Sequence, residues 1–524
     1  MRHRYPAYVG VGIGASVIAA VLGYAQKTPC SSGGAWNSFT QQFRDSCYTD
    51  IYPLYYNEGL AAGKVPYYQH PVEYPVLIGA MMEAGAWLVR SVSDAFTRGK
   101  DFYYVTVVML AICLLVAVLA TAATADREGD GEGWGMGGAG VRTALLIALS
   151  PALILAAFIN WDLFAVALAA GGLAAWAAER HYLAGALLGL AVATKFYPLL
   201  FFGALLLVCL RAGRMREFGQ ALGAGLAAWL VVNLPVAIPA TANWGRFYAF
   251  SRDRGADWGS VWYLFEHYNV PVLGDSAQGT LNLMSSGSFV IAAVAIAVLA
   301  LAAPRRPRLP QLCFLLLAAF LILNKVWSPQ YVIWLVPLAV LARPRRIWWY
   351  LVWQAAEIGY FFGIWGYFVN LYQPPAGVTA NWYFVILAAR LLSVGLFAGA
   401  VVADILHPER DRVRASGLND DPAGGVLDGA PDRLVIVWGR DRGTREPAEA
   451  AASLELLRAG RGARRCRRTG RARGSRRPPP RPPRGPPPPG PAGRSCPRRS
   501  WRAGRRRRRT RRASRCSGPG RSGR

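Results

Sequence analysis

Apolar runs separated by short polar breaks fill residues 7–405. They fall at 7–24, 102–124, 143–159, 163–178, 182–194 with 196–210, 221–240, 284–303, 311–323, 330–342, 347–367 and 383–405. Runs of roughly 17–25 apolar residues match the ~30 Å of hydrocarbon that a helix has to cross. The pattern predicts an all-α polytopic membrane protein of about 11–13 transmembrane helices. The run 182–210 predicts two short segments meeting at TKFYP. Twelve residues of helix reach only ~18 Å, so Lys195 is expected within the membrane, facing a cavity rather than lipid.

The segment 74–92 (YPVLIGAMMEAGAWLVRSV) is shorter and carries Glu83 and Arg90. Charge decides its reading. The basic loops RAGRMR (211–216), PRRPR (304–308), RPRR (343–346) and HPERDRVR (407–414) share a side with the N-terminal MRHR only if 74–92 makes no net crossing. Arginine-rich short loops stay cytoplasmic, so 74–92 is expected to be a re-entrant or interfacial helix. Asp50, Asn160-Trp161-Asp162, NKVWSPQ and the long loops 25–73 and 241–283 then fall on the extracytoplasmic side. The start of the chain reads as an uncleaved first span, with a cleaved signal peptide as the alternative.

Three regions follow. Residues 1–410 form the membrane domain, with 25–92 as first exterior loop and interfacial helices and 241–283 as a second large exterior loop. Residues 411–454 are expected to be a cytoplasmic linker. Residues 455–524 hold 26 Arg against one acidic residue, Glu455, and carry most of the formal charge of +29. So few aliphatic side chains remain there that a core cannot form, and a disordered tail is expected. Two readings of the tail stand: a cytoplasmic arm for anionic lipid or nucleic acid, and the product of a frameshift in a GC-rich gene. The absence of a repeat, of interleaved aromatics and of a folded partner domain favours the second, and no nucleic-acid partner is expected.

Against this apolar background a few polar residues are conspicuous, because ionisable groups at membrane boundaries are costly and usually functional. Asp50, in CYTD, is suited to take the proton of an attacking hydroxyl. Asp45, Glu58 and Glu73 are nearby alternatives, and a helix N-cap is the structural reading. In GKVPYYQHPVEYPVLIG (63–79), Tyr67, Tyr68 and Tyr74 can cover apolar sugar faces or belong to an interfacial aromatic belt. Asp162, in the short turn after Trp161, either orients an acceptor or pairs with a lysine. Lys195 and Lys325 are the only lysines after residue 100. A point charge on a flexible stem suits a phosphate oxygen, against snorkelling as the alternative. Arg246, Arg252, Arg254 and His267 are further phosphate candidates.

Cys30 and Cys47 share the first exterior loop, where a disulfide is permitted. Cys113, Cys209 and Cys313 lie in apolar runs and pack, and Cys466, Cys496 and Cys516 lack metal-ligand spacing. The chain has no zinc-type Cys/His cluster, Walker A loop, GxSxG or dinucleotide fingerprint. No metal and no cofactor is called for.

In order along the chain, Asp50, EYP (73–75), NWDL (160–163), TKFYPLL (194–200) and NKVWSPQY (324–331) resemble glycosyltransferase family 87 over about residues 5–415. These are actinobacterial membrane proteins of GT-C architecture, similar to polyprenol-phosphate-mannose-dependent α-mannosyltransferases. The resemblance implies a polyprenyl-phosphate sugar donor, transfer of mannose with inversion to an envelope glycan or glycolipid hydroxyl outside the membrane, and a carboxylate base that maps onto Asp50. Around it we expect Glu73, Tyr74, Trp161 and Asp162 at the acceptor or sugar, and Lys195, Lys325, Arg252 and His267 at the donor phosphate. The competing expectations are a transporter or flippase of polyprenyl-linked glycan, and a non-catalytic envelope assembly protein.

Overall fold

The computed structural model describes residues 6–127, 138–268, 270, 278–414 and 419–436. The chain divides into two units at Asp441, and the described residues all belong to the first. The expectations for the tail 455–524 and for MRHR lie outside the described residues.

The architecture is helical, with no strand among the described residues. In order run α1 (Ala7–Ser31), α2 (Gln41–Arg44), α3 (Ile51–Asn57), α4 (Val76–Leu88), α5 (Ala95–Asp126), α6 (Ala139–Ala148), α7 (Pro151–Ala156), α8 (Asp162–Ala177) and α9 (His181–Val192). There follow α10 (Leu199–Ala212), α11 (Met215–Ala237), α12 (Thr241–Asp253), α13 (Val261–His267), α14 (Gln278–Ala302), α15 (Leu309–Leu323), α16 (Val332–Ala342), α17 (Trp348–Tyr372) and α18 (Ala380–Leu406). Five of these are long and apolar enough to cross a membrane, and seven shorter apolar helices accompany them among the described residues. The protein is a multi-pass membrane protein.

Breaks in the helices bring polar groups into a mainly apolar interior. The single span expected at 143–159 is two helices, because Pro151 cannot donate to the preceding turn. Ser150 starts α7 instead, its hydroxyl accepting from Leu153 N at 3.2 Å. The run 182–210 divides as its pattern predicts, into α9 and α10. Between them TKFYP leaves the helical path, and Leu77 N of α4 donates to the Ala193 carbonyl at 3.0 Å. The thirteen residues of α4 reach only ~20 Å, too short to cross.

Close approach of helices depends on small residues. A Cβ added at Gly185 or Gly189 of α9 would collide with the backbone of Ala221 or Gly225 of α11, a small-xxx-small contact on both sides. Deeper in the bundle, Arg390 of α18 pairs with Glu357 of α17 at 3.0 Å. Its guanidinium lies 4.1 Å from the Trp327 ring centre and 3.9 Å from that of Tyr360, which fixes the segment 324–331 from behind.

The expected linker 411–454 begins as packed structure instead. Arg308 Nε donates to Asp411 Oδ2 at 2.7 Å, Arg306 Nη1 to Asp432 Oδ1 at 2.7 Å, and Trp176 Nε1 to the Gly424 carbonyl at 2.9 Å. Leu427 is fully buried. Acidic side chains after residue 410 neutralise loop arginines that would otherwise be buried without a partner, so the body continues to residue 436 at least.

Candidate active site

The site is built from five segments that interrupt the helices: 45–50, 73–75, 160–162, 193–198 and the facing pair 254–257 and 324–331. The first is tethered at several points. Cys30 and Cys47 form a disulfide. Lys27 Nζ, buried at the end of α1, donates to the Tyr48 carbonyl at 2.7 Å. Thr49 Oγ1 donates to the Phe158 carbonyl, and Asp50 N to that of Ile159, each at 2.8 Å.

Asp50 occupies the N-cap position of α3, yet its side chain makes no capping bond. The carboxylate accepts instead from Tyr48 Oη at 2.6 Å, Asn160 Nδ2 at 2.8 Å and Gln330 Nε2 at 3.3 Å. These donors come from three segments and aim the carboxylate into a cavity of about 890 Å³.

Lys195 lines the same cavity. Its ammonium lies 3.3 Å from Asp162 Oδ1 and 3.4 Å from Asn160 Oδ1, and 4.8 Å from the centre of the Tyr74 ring. Asp162 is fully buried behind it, where Trp334 Nε1 also donates to Oδ1 at 2.8 Å. Of the two roles the sequence allows Asp162, the placement matches pairing with a lysine. Trp161 is likewise fully buried, and neither residue lines the cavity. Glu73 and Tyr74 do, Glu73 beside Arg246 at 3.3 Å. Tyr67 stands back from the wall: its hydroxyl donates to the Tyr74 and Pro75 carbonyls at 2.9 and 2.8 Å, which orients Tyr74.

Elsewhere on the cavity wall, Lys325 Nζ donates to the Arg252 carbonyl at 2.8 Å and to that of Arg254. Burial first and the Arg254 charge second push the Lys325 ammonium below its ordinary range. Arg254 Nη2 reaches Asp257 Oδ1 at 3.1 Å, and Asp257 N donates to the Lys325 carbonyl at 2.8 Å. A Cβ at Gly259 would strike the Trp327 carbonyl, so only glycine lets the two segments close. Arg254, Asp257 and Lys325 line the cavity. Arg252 and His267 do not: Arg252 is exposed beside Asp253 at 2.9 Å, and His267 stacks on Phe384 at 4.1 Å. The loop cation at the cavity is therefore Arg254.

Sequence reasoning passed over Tyr48, Asn160 and Gln330. All three stand inside the motifs around Asp50, Asp162 and Lys325, so a signal existed, but the charged neighbour drew the role each time. Aromatic rings complete the enclosure. Phe43, Trp365, Phe368 and Tyr372 lie on one side, and Phe196, Phe247, Tyr248 and Phe250 on another. Among the described residues no three His, Cys, Asp or Glu gather in a metal-holding group.

One carboxyl beside the site titrates unusually. Burial first, then the neighbouring Glu73 carboxylate, push Glu58 up to about 7. The folded protein holds that proton more tightly than the unfolded chain. Its neutral form is therefore favourable at low pH, and stability is lost as pH rises from the unfolded carboxyl value through about 7. Glu58→Gln is expected to flatten that loss. The wild-type melting temperature in detergent should fall further between pH 5 and pH 8 than that of the variant. Parallel pH dependences would show that Glu58 is not the group responsible.

A half-buried carboxylate and cations around one aromatic-lined cavity can accept a proton from a hydroxyl and hold an anion beside it. No curated protein matches the chain. The model of glycosyltransferase family 87 matches residues 85–329, which contain the 160–162, 193–198 and 254–257 segments and most of 324–331. Over that stretch the chain is similar to glycosyltransferase family 87, and its apolar helices are those of a multi-pass membrane protein.

Proposed function

We propose that the protein transfers a sugar, mannose by its resemblance, from a polyprenyl phosphate to a hydroxyl of an envelope glycan or glycolipid. The reaction takes place on the extracytoplasmic face and inverts the anomeric centre. The observation that carries this reading is that the Asp50 carboxylate and the Lys195 ammonium line one cavity and share one intervening side chain, Asn160.

In this mechanism the acceptor hydroxyl attacks the anomeric carbon from the face opposite the phosphate, through an oxocarbenium-like state. Asp50 takes the hydroxyl proton. The bond from the anomeric carbon to the phosphate oxygen breaks, and its electron pair leaves with the polyprenyl phosphate. Lys195, Lys325 and Arg254 are the groups suited to receive that charge, since fixed cations preorganised at a departing group stabilise the developing anion. Glu73 and Tyr74 border the acceptor or sugar. The aromatic walls suit sugar faces and prenyl units alike.

The test is sugar transfer in membranes containing the full chain, with radiolabelled polyprenyl-phosphate mannose and a radiolabelled nucleotide mannose offered in turn. Label entering glycan or glycolipid from the lipid donor alone is the expected result. Transfer directly from the nucleotide sugar, with the route through polyprenyl phosphate blocked, would overturn the donor assignment. Movement of lipid-linked glycan across the bilayer without bond exchange would favour a flippase.

A further inference from the structure

Asn160 is where the two halves of the proposed chemistry meet. Its amide has two donor and two acceptor positions, and all are used. Nδ2 donates to Asp50 Oδ2 and to Tyr74 Oη, each at 2.8 Å. Oδ1 accepts from Trp161 N at 2.7 Å and from Lys195 Nζ at 3.4 Å. The carboxylate on one side and the ammonium on the other admit a single orientation of the amide, since a flipped group would set donor against donor. The side chain is almost wholly buried yet lines the cavity, so its bonds are shielded from competing water.

We propose that Asn160 is a positioning residue that couples the base to the phosphate cation. It aims the Asp50 carboxylate at the acceptor and holds the Lys195 ammonium where the phosphate departs. One planar group thus fixes the spacing between proton acceptance and leaving-group stabilisation. Gln330 differs. It reaches Asp50 at 3.3 Å from the segment 324–331, and no bond from it to Lys195 is seen among the described residues.

This inference rests on the reading of Asp50 as base and Lys195 as phosphate cation, and three variants separate the two halves. Asn160→Ala removes both contacts. Asn160→Asp keeps the shape and an oxygen facing Lys195, but sets a carboxylate oxygen against Asp50. Gln330→Ala removes one donor to Asp50 alone. Two quantities are measured on purified full-length protein in detergent: equilibrium binding of radiolabelled polyprenyl phosphate, and the turnover of sugar transfer after reconstitution with acceptor membranes. Asn160→Ala is expected to lose roughly ten- to hundredfold in both, the scale of a hydrogen bond to a charged group. Asn160→Asp should keep binding within about threefold of wild type and lose turnover by about a hundredfold or more. Gln330→Ala should keep binding and lose turnover modestly.

Equal loss of binding and turnover in both Asn160 variants would mark a scaffold residue and overturn the coupling. Binding by Asn160→Ala at the wild-type level would do the same. If Asn160→Ala does not fold, the isosteric Asn160→Asp still decides through its split between binding and turnover. Failure of the wild type itself to bind polyprenyl phosphate would overturn the donor reading, and this inference with it. Wild-type binding with the wrong variant pattern overturns this inference alone.

Discussion

Asp50→Asn is expected to lower sugar transfer by at least about a hundredfold, with the amount of folded protein unchanged. The carboxamide has nearly the carboxylate's shape and does not take up the acceptor proton, and general-base contributions are of the order of 10²–10⁴. The variant amide can keep its oxygen toward the donors of Asn160 and Gln330 and turn its nitrogen toward Tyr48 Oη, so the local packing is kept while the base is lost. The measurement is the initial rate of label transfer in membranes, normalised to protein level, with the disulfide Cys30–Cys47 checked as evidence that the first loop has folded. Transfer at the wild-type rate would remove Asp50 as the base. Glu73, which borders the same cavity, would then be the next carboxylate to test.

Lys195→Met is the second large effect, and it needs a companion. The ammonium pairs with a fully buried Asp162 at 3.3 Å, and removing one member of a buried pair leaves an uncompensated charge that costs about 3–5 kcal/mol. The single variant is therefore expected to lose stability as well as activity. The double variant Lys195→Met with Asp162→Asn removes both charges, and its melting temperature should return most of the way to the wild-type value. Its transfer activity should not return. Loss of one group that stabilises transition-state charge costs about 10²–10³ in rate. Recovery of activity along with stability would mean that Lys195 holds Asp162 and does not act on the donor.

The buried arginines show how charge was read from the sequence and what it meant in the fold. Arg211, Arg306, Arg308 and Arg343 counted as marks of cytoplasmic loops. In the fold their side chains are buried and paired: Arg211 and Arg306 with Asp432, Arg308 with Asp411, and Arg343 with Asp404. The two readings are compatible in one residue, since a loop arginine can remain on its side of the membrane and turn inward to a carboxylate. The second was not legible because the carboxylates arrive from as far as 221 positions away.

Arg254 and Arg252 separate for a local reason with a tertiary consequence. The helix α12 ends at Asp253, and Arg254 takes an extended backbone at φ −70° and ψ 132°. That change of path directs its side chain into the cavity and leaves Arg252 in solvent beside Asp253. Two arginines of the same chemistry, two residues apart, could not be ranked by composition or spacing.

The sequence by itself determined the membrane class, the broken run at Lys195, the short α4, and the few polar residues worth examining. The physical reason is cost: a charge at a membrane boundary is expensive, so Asp50, Asp162, Lys195 and Lys325 stand out against apolar neighbours without any knowledge of contacts. Only the tertiary structure decided which of them face the cavity and which stand behind it. It also decided that the neutral amides of Asn160 and Gln330 hold the carboxylate of Asp50. An amide in a turn costs little and leaves no mark in a hydropathy pattern. Asn160 and Gln330 lie 110 and 280 positions from Asp50 along the chain, and helix packing alone brings them within hydrogen-bond reach.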